Sequence, residues 1–269
     1  MAKTPKKTPA QKTPTTRPPA KRRPHHTRGY AIVTVCVVLA IAIVGAAGWK
    51  PITSALRTSS ADAEPLANVG RSPSDAGCSP YVTLKADGNQ QHVPTGTVVD
   101  YTTAPPAFGP HWSEPGVAPV PMGRKFYSPG DRPPLEALVH NLEHGYTILW
   151  YDATIAHDNS QLDLIRSLGD HFAGTADWRD KFIAVPWTAA DQAATYKTGN
   201  PMTEFPAGKH IAFTHWSAGG LPVATLPNNQ PDTTKQVGVL QYCSSVSGAA
   251  LKQFLQAYPF TDSPEPSSM

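Results

Sequence analysis

An uncharged apolar run of 20 residues, Tyr30–Trp49, constrains the fold of this chain more than any other feature. Thr34 is the only conventional polar side chain within it. A helix of that length measures about 30 Å, which is enough to cross the hydrocarbon core of a bilayer. Tyr30 and Trp49 stand at its two ends, where aromatic belts form in membrane proteins. We therefore predict one transmembrane helix at 30–49, with any folded domain attached to it.

The segment 1–28 contains nine Lys/Arg, six prolines and no Asp or Glu. A segment this polar buries too little apolar surface to fold, so we predict a disordered basic tail. Its positive charge places it in the cytoplasm, against anionic lipid headgroups, and places the rest of the chain outside the membrane. The lengths of both segments favour an uncleaved signal anchor. A cleaved signal peptide, with its cleavage site near the small residues at 45–48, is the alternative.

Beyond residue 28 the chain is acidic, and its cysteines agree with export. Fourteen Lys/Arg are outnumbered there by 20 Asp/Glu, a net charge of −6, and we predict no nucleic-acid partner.

Cys36 lies in the apolar run, where it is most simply a small apolar side chain. Cys78 and Cys243 remain, an even number in an oxidising compartment, which favours a disulfide between them. Two unpaired thiols are the alternative, and exposed thiols outside the cell tend to oxidise.

The exported part divides into a linker stalk at 50–77, a domain at 78–258 and a disordered tail at 259–269. Within the domain, apolar patterns predict strands at 81–84, 97–101, 146–151, 181–187 and 209–216. They also predict helices between Pro133 and Gly145, at 159–172 and at 244–258. Proline and glycine crowd 104–121, which predicts a long ordered loop.

The order of these elements defines the fold class. A strand–helix–strand crossover over 146–187 implies a parallel strand pair. We predict a single α/β or α+β domain with a mixed β-sheet flanked by helices. Thioredoxin-like folds have the same order of elements, but the chain lacks the Cys-x-x-Cys motif of their redox chemistry.

The densest group of chemically active residues is His140-Asn141-Leu142-Glu143-His144-Gly145. Spacings of three and four place His140, Glu143 and His144 on one helix face, in the H-x-x-E-H order of inverzincin peptidases. Histidines also interact well with a helix C-terminus, and could be surface residues there. A carboxylate such as Glu143 loses free energy at that negative end. A protonated histidine, Arg124 or a metal ion would relieve the cost.

Further metal ligands must come from other segments of the chain. His111 is the best candidate, because it follows three prolines that stiffen its loop. His92 is the next candidate. We expect His215 to be a core residue with satisfied hydrogen bonds. Neutral imidazoles bind both zinc and copper, so the predicted ligand set leaves both metals open.

Two motifs in order carry a resemblance to a known family. A Pro-Pro-x-x-Gly-Pro-His loop at 105–111 is followed by Val-His-Asn-Leu-Glu-His-Gly at 139–145 and a strand. This arrangement resembles the bacterial DUF3105 family of membrane-anchored proteins, whose domain has no assigned function. The likeness extends from about residue 80 to the Ser-Pro-Glu at 263–265. It implies an anchor and an exported domain, and supplies no activity. Similar proteins tend to have Thr-Ser at 107–108, where this chain has Ala107 and Phe108.

Three functions fit these observations. The first is a non-catalytic, membrane-anchored domain that binds zinc or copper through His92, His111, His140, Glu143 and His144. The second is a structural or protein-interaction module of the cell envelope, without a metal. The third is a metallohydrolase with Glu143 as general base. Catalysis is disfavoured, because Gly145 ends the helix directly after His144 and no downstream carboxylate ligand stands out.

Overall fold

The computed structural model describes residues 65–86, 89–120, 123–174, 177, 179–195 and 205–268. The predicted cytoplasmic tail, the apolar run at 30–49 and most of the predicted stalk lie outside these residues. Within them, no helix combines the length and the apolar character that a membrane crossing requires. The transmembrane helix therefore stays a prediction.

A five-stranded mixed β-sheet forms the centre of the domain. Its strands are β1 (Val82–Lys85), β2 (Thr147–Tyr151), β3 (Phe182–Pro186), β4 (Ile211–Ser217) and β5 (Val237–Cys243). They lie in the order β1-β5-β4-β2-β3. β2 and β3 are parallel, and the other neighbouring pairs are antiparallel. The fold is therefore α+β with a single mixed sheet, and the parallel pair expected from the crossover is confirmed.

Five helices accompany the sheet in the described residues: α1 (Leu135–Glu143), α2 (Ala153–Ala156), α3 (Asn159–Phe172), α4 (Ala189–Thr195) and α5 (Gly248–Ala257). Short 3-10 turns lie at Leu66–Asn68 and Thr233–Lys235. The Asp158 carboxylate accepts hydrogen bonds from the first backbone N–H groups of α3, and the Ser247 hydroxyl accepts one at α5. These side chains satisfy donors that a helix start leaves unpaired, which fixes where the two helices begin.

The strands bury both faces of the sheet, and alternate residues supply two separate cores. Leu149 and Tyr151 of β2 pack on the side of α3 and α5. Ile148 and Trp150 point to the opposite side, against α1 and the loop that precedes it. Because side chains alternate along a strand, the same five residues support both layers. α1 is thereby held firmly over one face, with Leu138 and Leu142 fully buried beneath it.

The long loop before α1 is part of this second layer. Tyr101, Ala107 and Phe108 are buried, and Phe108 covers Gly238, where a Cβ atom would collide with its ring. Ala107 and Phe108, where the resemblance leads us to expect Thr-Ser, are therefore core positions in this chain. The hydroxyl of Tyr101 donates a hydrogen bond to the carbonyl of Pro110. These contacts order the loop without regular secondary structure, as the sequence predicts.

The structure differs from the sequence expectations in several elements. No strand forms at 97–101; the segment is part of the loop, with Tyr101 buried and Val98 exposed. Strand β5 was not predicted. The domain begins before Cys78, because Leu66 and Val69 pack into the core beside α5. Residues 259–268 pack on the domain instead of forming a disordered tail, with Asp262 and Ser263 buried.

A disulfide joins Cys78 to Cys243 in the structure, with the two Cα atoms 4.0 Å apart. The bond connects the first described segment to the end of β5, across a sequence separation of 165 residues. The two cysteines that the sequence pairs are therefore neighbours in space.

Candidate metal centre

The C-terminal end of α1 presents a buried carboxylate. The side chain of Glu143 is only 1% exposed. Its Oε1 atom accepts a hydrogen bond of 2.8 Å from Gln90 Nε2. Gln236 Nε2 donates in turn to Gln90 Oε1, and Trp216 Nε1 donates to Gln236 Oε1. This chain of side-chain hydrogen bonds fixes the rotation of the carboxylate, so that Oε2 faces the neighbouring histidines.

Two of these histidines come from the loop before α1. A parallel bridge pairs His92 with His111. The backbone N–H of Val93 donates to the carbonyl of His111, and that of His111 donates to Gln91. The pairing places the two imidazole rings side by side, with their centroids 4.9 Å apart. The loop therefore delivers both predicted candidates to one place.

Four potential ligands converge at this point. His92, His111, His140 and Glu143 each offer one ligand atom, and these atoms all lie within 4.8 Å of one another. His111 Nε2 lies 3.0 Å from Glu143 Oε2, and His92 Nε2 lies 3.7 Å from the same atom. Tetrahedral zinc with bonds of 2.0–2.1 Å separates its ligand atoms by about 3.3 Å. The two measured distances lie on either side of that value.

The buried atoms of this cluster are not paired with one another. His111 Nδ1 donates to the carbonyl of Gly109 at 2.9 Å, so a neutral ring has a lone pair on Nε2. That lone pair faces the carboxylate oxygen, and the contact lacks hydrogen-bond geometry. Among the described residues, His111 Nε2, His140 Nδ1 and Glu143 Oε2 are all buried without a hydrogen-bond partner. Such atoms are costly in a folded protein, and an ion is one of the standard explanations.

The protonation states of His140 and Glu143 favour binding of a cation. Burial, together with neighbouring His144 and His111, lowers the pKa of His140 to about 4. Burial raises the pKa of Glu143, but attraction to His111 in its protonated form and the hydrogen bond from Gln90 outweigh it, so the pKa falls below its ordinary value. An ionised carboxylate thus lies beside a neutral imidazole at neutral pH. Metal ions bind the deprotonated forms of both groups.

His144 lies at the edge of this cluster. Its Nε2 is 3.2 Å from His140 Nε2, and its Nδ1 is 3.2 Å from the backbone carbonyl of Glu265. A second group of potential ligands, formed by Glu143, His144 and Glu265, also has its ligand atoms within 4.8 Å. The predicted ligand His144 therefore contacts both His140 and the C-terminal end of the chain.

The segment Phe260–Ser268, called here the C-terminal segment, crosses the end of α1. The backbone N–H of Glu265 donates to the carbonyl of Glu143 at 3.0 Å. Lys181 Nζ donates to the carbonyl of His144 at 2.7 Å and to those of Pro266 and Ser268. The sequence gives no signal for these contacts, because they join residues far apart in the chain and use mainly backbone atoms.

Other candidates have separate partners. His215 is fully buried, as expected for a core residue. Its two ring nitrogens face the carbonyls of Tyr146 and Asp262, and a neutral imidazole donates a hydrogen bond to only one of them. Arg124 pairs with Asp131, so it is not the cation beside Glu143. His210, which was not among the predicted ligands, contacts Asp152. Gln90 was missed by the sequence analysis, since a single polar residue in a loop forms no pattern.

Fold and site together define an α+β domain with a three-histidine, one-carboxylate cluster on one face. A family model described as a protein of unknown function, DUF3105, matches residues 92–269. The chain belongs to this family, and the resemblance given by its two motifs is confirmed. The matched region contains all four cluster residues, His144 and the C-terminal segment. No curated protein and no solved structure matches the chain.

Proposed function

We propose that this domain binds a divalent transition-metal ion through His92, His111, His140 and Glu143, without catalysing a reaction. The observation that carries the proposal is that ligand atoms of four residues converge, and that three of these residues have a buried atom without a hydrogen-bond partner: His111 Nε2, His140 Nδ1 and Glu143 Oε2. Each is an ordinary metal-ligand atom. One cation bound among them would satisfy all three.

A metal explains the cluster better than the other cations that the sequence allows. Arg124 is engaged by Asp131. A proton on His111 Nε2 would need an aligned hydrogen bond to Glu143 Oε2, and the contact at 3.0 Å lacks that geometry. A coordinated ion places no such demand on N–H direction. The negative end of α1 adds a further attraction for positive charge.

Zinc and copper suit this ligand set best. Three imidazoles and a carboxylate are the ligands that both ions accept, whereas calcium and magnesium prefer oxygen alone. The side chain of His92 is 51% exposed, which provides a route from solvent to the buried ligands. We take zinc as the first ion to test and copper as the second.

Metallohydrolase chemistry is the second candidate, and the placement of Glu143 disfavours it. A general base must reach a metal-bound water with a free carboxylate oxygen. Here Oε1 accepts a hydrogen bond from Gln90, and Oε2 points into the histidine cluster. The carboxylate is therefore arranged as a ligand. An envelope module without metal remains the alternative if the cluster binds nothing.

The cellular setting belongs to the same proposal. With the predicted helix at 30–49 as an uncleaved anchor, the domain lies outside the cell membrane and the basic tail contacts anionic headgroups inside. The disulfide between Cys78 and Cys243 supports an oxidising compartment. The β2–α3–β3 crossover, followed by β4, β5 and α5, also supports the interpretation of a thioredoxin-like order of elements.

The test is a zinc titration of the full-length chain in detergent, with bound metal measured by mass spectrometry. We expect one equivalent in the wild type and strong loss in His111→Ala and His140→Ala. His157→Ala is the matched control, since it removes an exposed imidazole remote from the cluster. Substoichiometric metal that is the same in all four proteins would contradict the proposal. The same titration with copper(II) decides between the ions.

A further inference from the structure

We propose that His144 is a positioning residue, not a metal ligand. Through it, the C-terminal segment selects the nitrogen by which His140 binds the metal. The inference rests on the proposed metal site and deepens it. The atoms that carry it are the carbonyl of Glu265, the two nitrogens of His144 and the two nitrogens of His140.

The positions of the hydrogen atoms in this series of contacts can be assigned, starting from the carbonyl of Glu265. A carbonyl oxygen only accepts, so His144 Nδ1, which is 3.2 Å from the Glu265 carbonyl, carries the hydrogen. The neutral ring then has its lone pair on Nε2. The contact of 3.2 Å between His144 Nε2 and His140 Nε2 needs one hydrogen, which His140 must supply. The lone pair of His140 is thereby fixed on Nδ1.

His140 Nδ1 is the atom that the structure leaves for a metal. It is buried and has no hydrogen-bond partner among the described residues. Were His144 Nε2 to bind the ion instead, the Nε2–H group of His140 would lose its acceptor and Nδ1 would still be buried without a partner. The ligand atoms of the four-residue cluster also form their group without His144. Ligating histidines commonly have their other nitrogen held in this way by an outer partner.

The C-terminal segment is held firmly enough to act as that outer partner. Glu265 both donates its N–H to the Glu143 carbonyl and accepts from His144. Lys181 joins the carbonyls of His144, Pro266 and Ser268. The end of α1 and the segment therefore share three anchor points, and the position of the Glu265 carbonyl is determined by more than the His144 contact.

The experiment is ¹⁵N NMR of the full-length chain with labelled histidines, titrated with zinc in detergent. Long-range proton–nitrogen correlations distinguish a metal-bound, a protonated and a lone-pair nitrogen in each ring. We expect zinc on His140 Nδ1, with hydrogens retained on His140 Nε2 and His144 Nδ1. Zinc-induced coordination shifts on His144 Nε2 would overturn the proposal. This result needs no variant, so it stands even if substitutions impair folding.

Variants of His144 give a second readout. His144→Phe keeps a ring but removes the acceptor, and we expect zinc affinity to fall about 10–100-fold, as for other outer partners of metal ligands. His144→Gln restores an acceptor oxygen, so it should recover part of that loss and the Nδ1 coordination of His140. Wild-type affinity in His144→Phe with His140 still bound through Nδ1 would refute the positioning role. If the wild-type chain binds no zinc, the proposed function fails as well.

Discussion

Glu143 is the residue at which stability and the proposed metal binding conflict. The carboxylate is buried in the last turn of α1, at the negative end of the helix dipole, and its Oε2 faces the lone pair of His111. Each of these features costs free energy in the metal-free protein. Residues that break a local rule in this way are expected at functional sites.

The substitution Glu143→Gln should separate the cost of Glu143 to folding stability from its contribution to zinc binding. The amide removes the negative charge and can donate to His111 Nε2. We therefore expect the metal-free protein to gain about 0.5–1 kcal/mol, the usual size of a helix-end charge effect. Loss of the ligand should weaken zinc binding at least about tenfold. Thermal unfolding with and without zinc measures both changes. If zinc stabilised the wild type and Glu143→Gln equally, that result would contradict the assignment of Glu143 as a zinc ligand.

Gln90 should affect zinc affinity only by orienting the carboxylate of Glu143. Gln90→Leu removes the donor to Glu143 Oε1 and breaks the connection to Gln236. We expect zinc affinity to fall about 10–100-fold, because the carboxylate loses its orientation. The neighbouring Gln91→Leu is the control, since that side chain is exposed. Calorimetric titration compares the two, and similar affinities would argue against orientation by Gln90.

The residues of the proposed metal site were easier to predict than the residues that orient them. His140 and Glu143 share a helix face, a local pattern, and proline stiffening marked His111. Gln90 and Glu265 act across sequence separations of 53 and 121 residues. No periodicity connects such positions, so only the folded chain brings them together.

At the scale of the elements, Gly145 links α1 to the C-terminal segment. Its φ angle is +89°, and a Cβ atom there would collide with the carbonyl of Phe260. The glycine that ends the helix therefore also makes room for the segment that crosses it.

Gly145→Ala should consequently destabilise the domain more than a positive φ angle alone explains. Gly174 is the matched control, because its φ is +70° and nothing lies near its Cβ position. We expect Gly174→Ala to cost about 1–2 kcal/mol, the usual left-handed penalty, and Gly145→Ala to cost more. Hydrogen exchange at 259–268 should accelerate only in Gly145→Ala. Equal unfolding free energies and unchanged exchange would refute this packing role.

Strong periodicity made most elements predictable. The helix at 159–172 and the parallel pair appear as expected, because each has a long apolar pattern with clear end signals. The strand predicted at 97–101 was wrong, because β-favouring residues such as Val98 and Tyr101 also occur in an ordered loop. The packed segment 259–268 was missed because its contacts are hydrogen bonds with distant residues and leave no apolar periodicity.

For the whole molecule, buried histidines connect stability to pH. Burial lowers the pKa of His140, His144 and His215 in the folded protein. Between the unfolded value of 6.5 and the folded value of about 4 for His140, the unfolded chain binds more protons. Acid therefore favours unfolding in that window.

We expect the unfolding free energy of the metal-free protein to decrease as pH falls from 6.5 towards 4. Each histidine contributes at most about 1.4 kcal/mol per pH unit, and His140 less, because its ring is partly exposed. Denaturant titrations at several pH values measure the slope, which should be smaller in His140→Gln. A stability that rises with acid across this window would contradict the expectation.

The position of the C-terminal segment also sets an order of assembly during synthesis. The ribosome releases α1 more than 100 residues before Glu265, yet the backbone partner of His144 is Glu265. A nascent chain that has not reached Glu265, or a chain clipped before it by a protease, has the helix but not the carbonyl that holds His144. Completion of this face therefore waits for residue 265, and loss of the segment around it reaches the buried histidines directly.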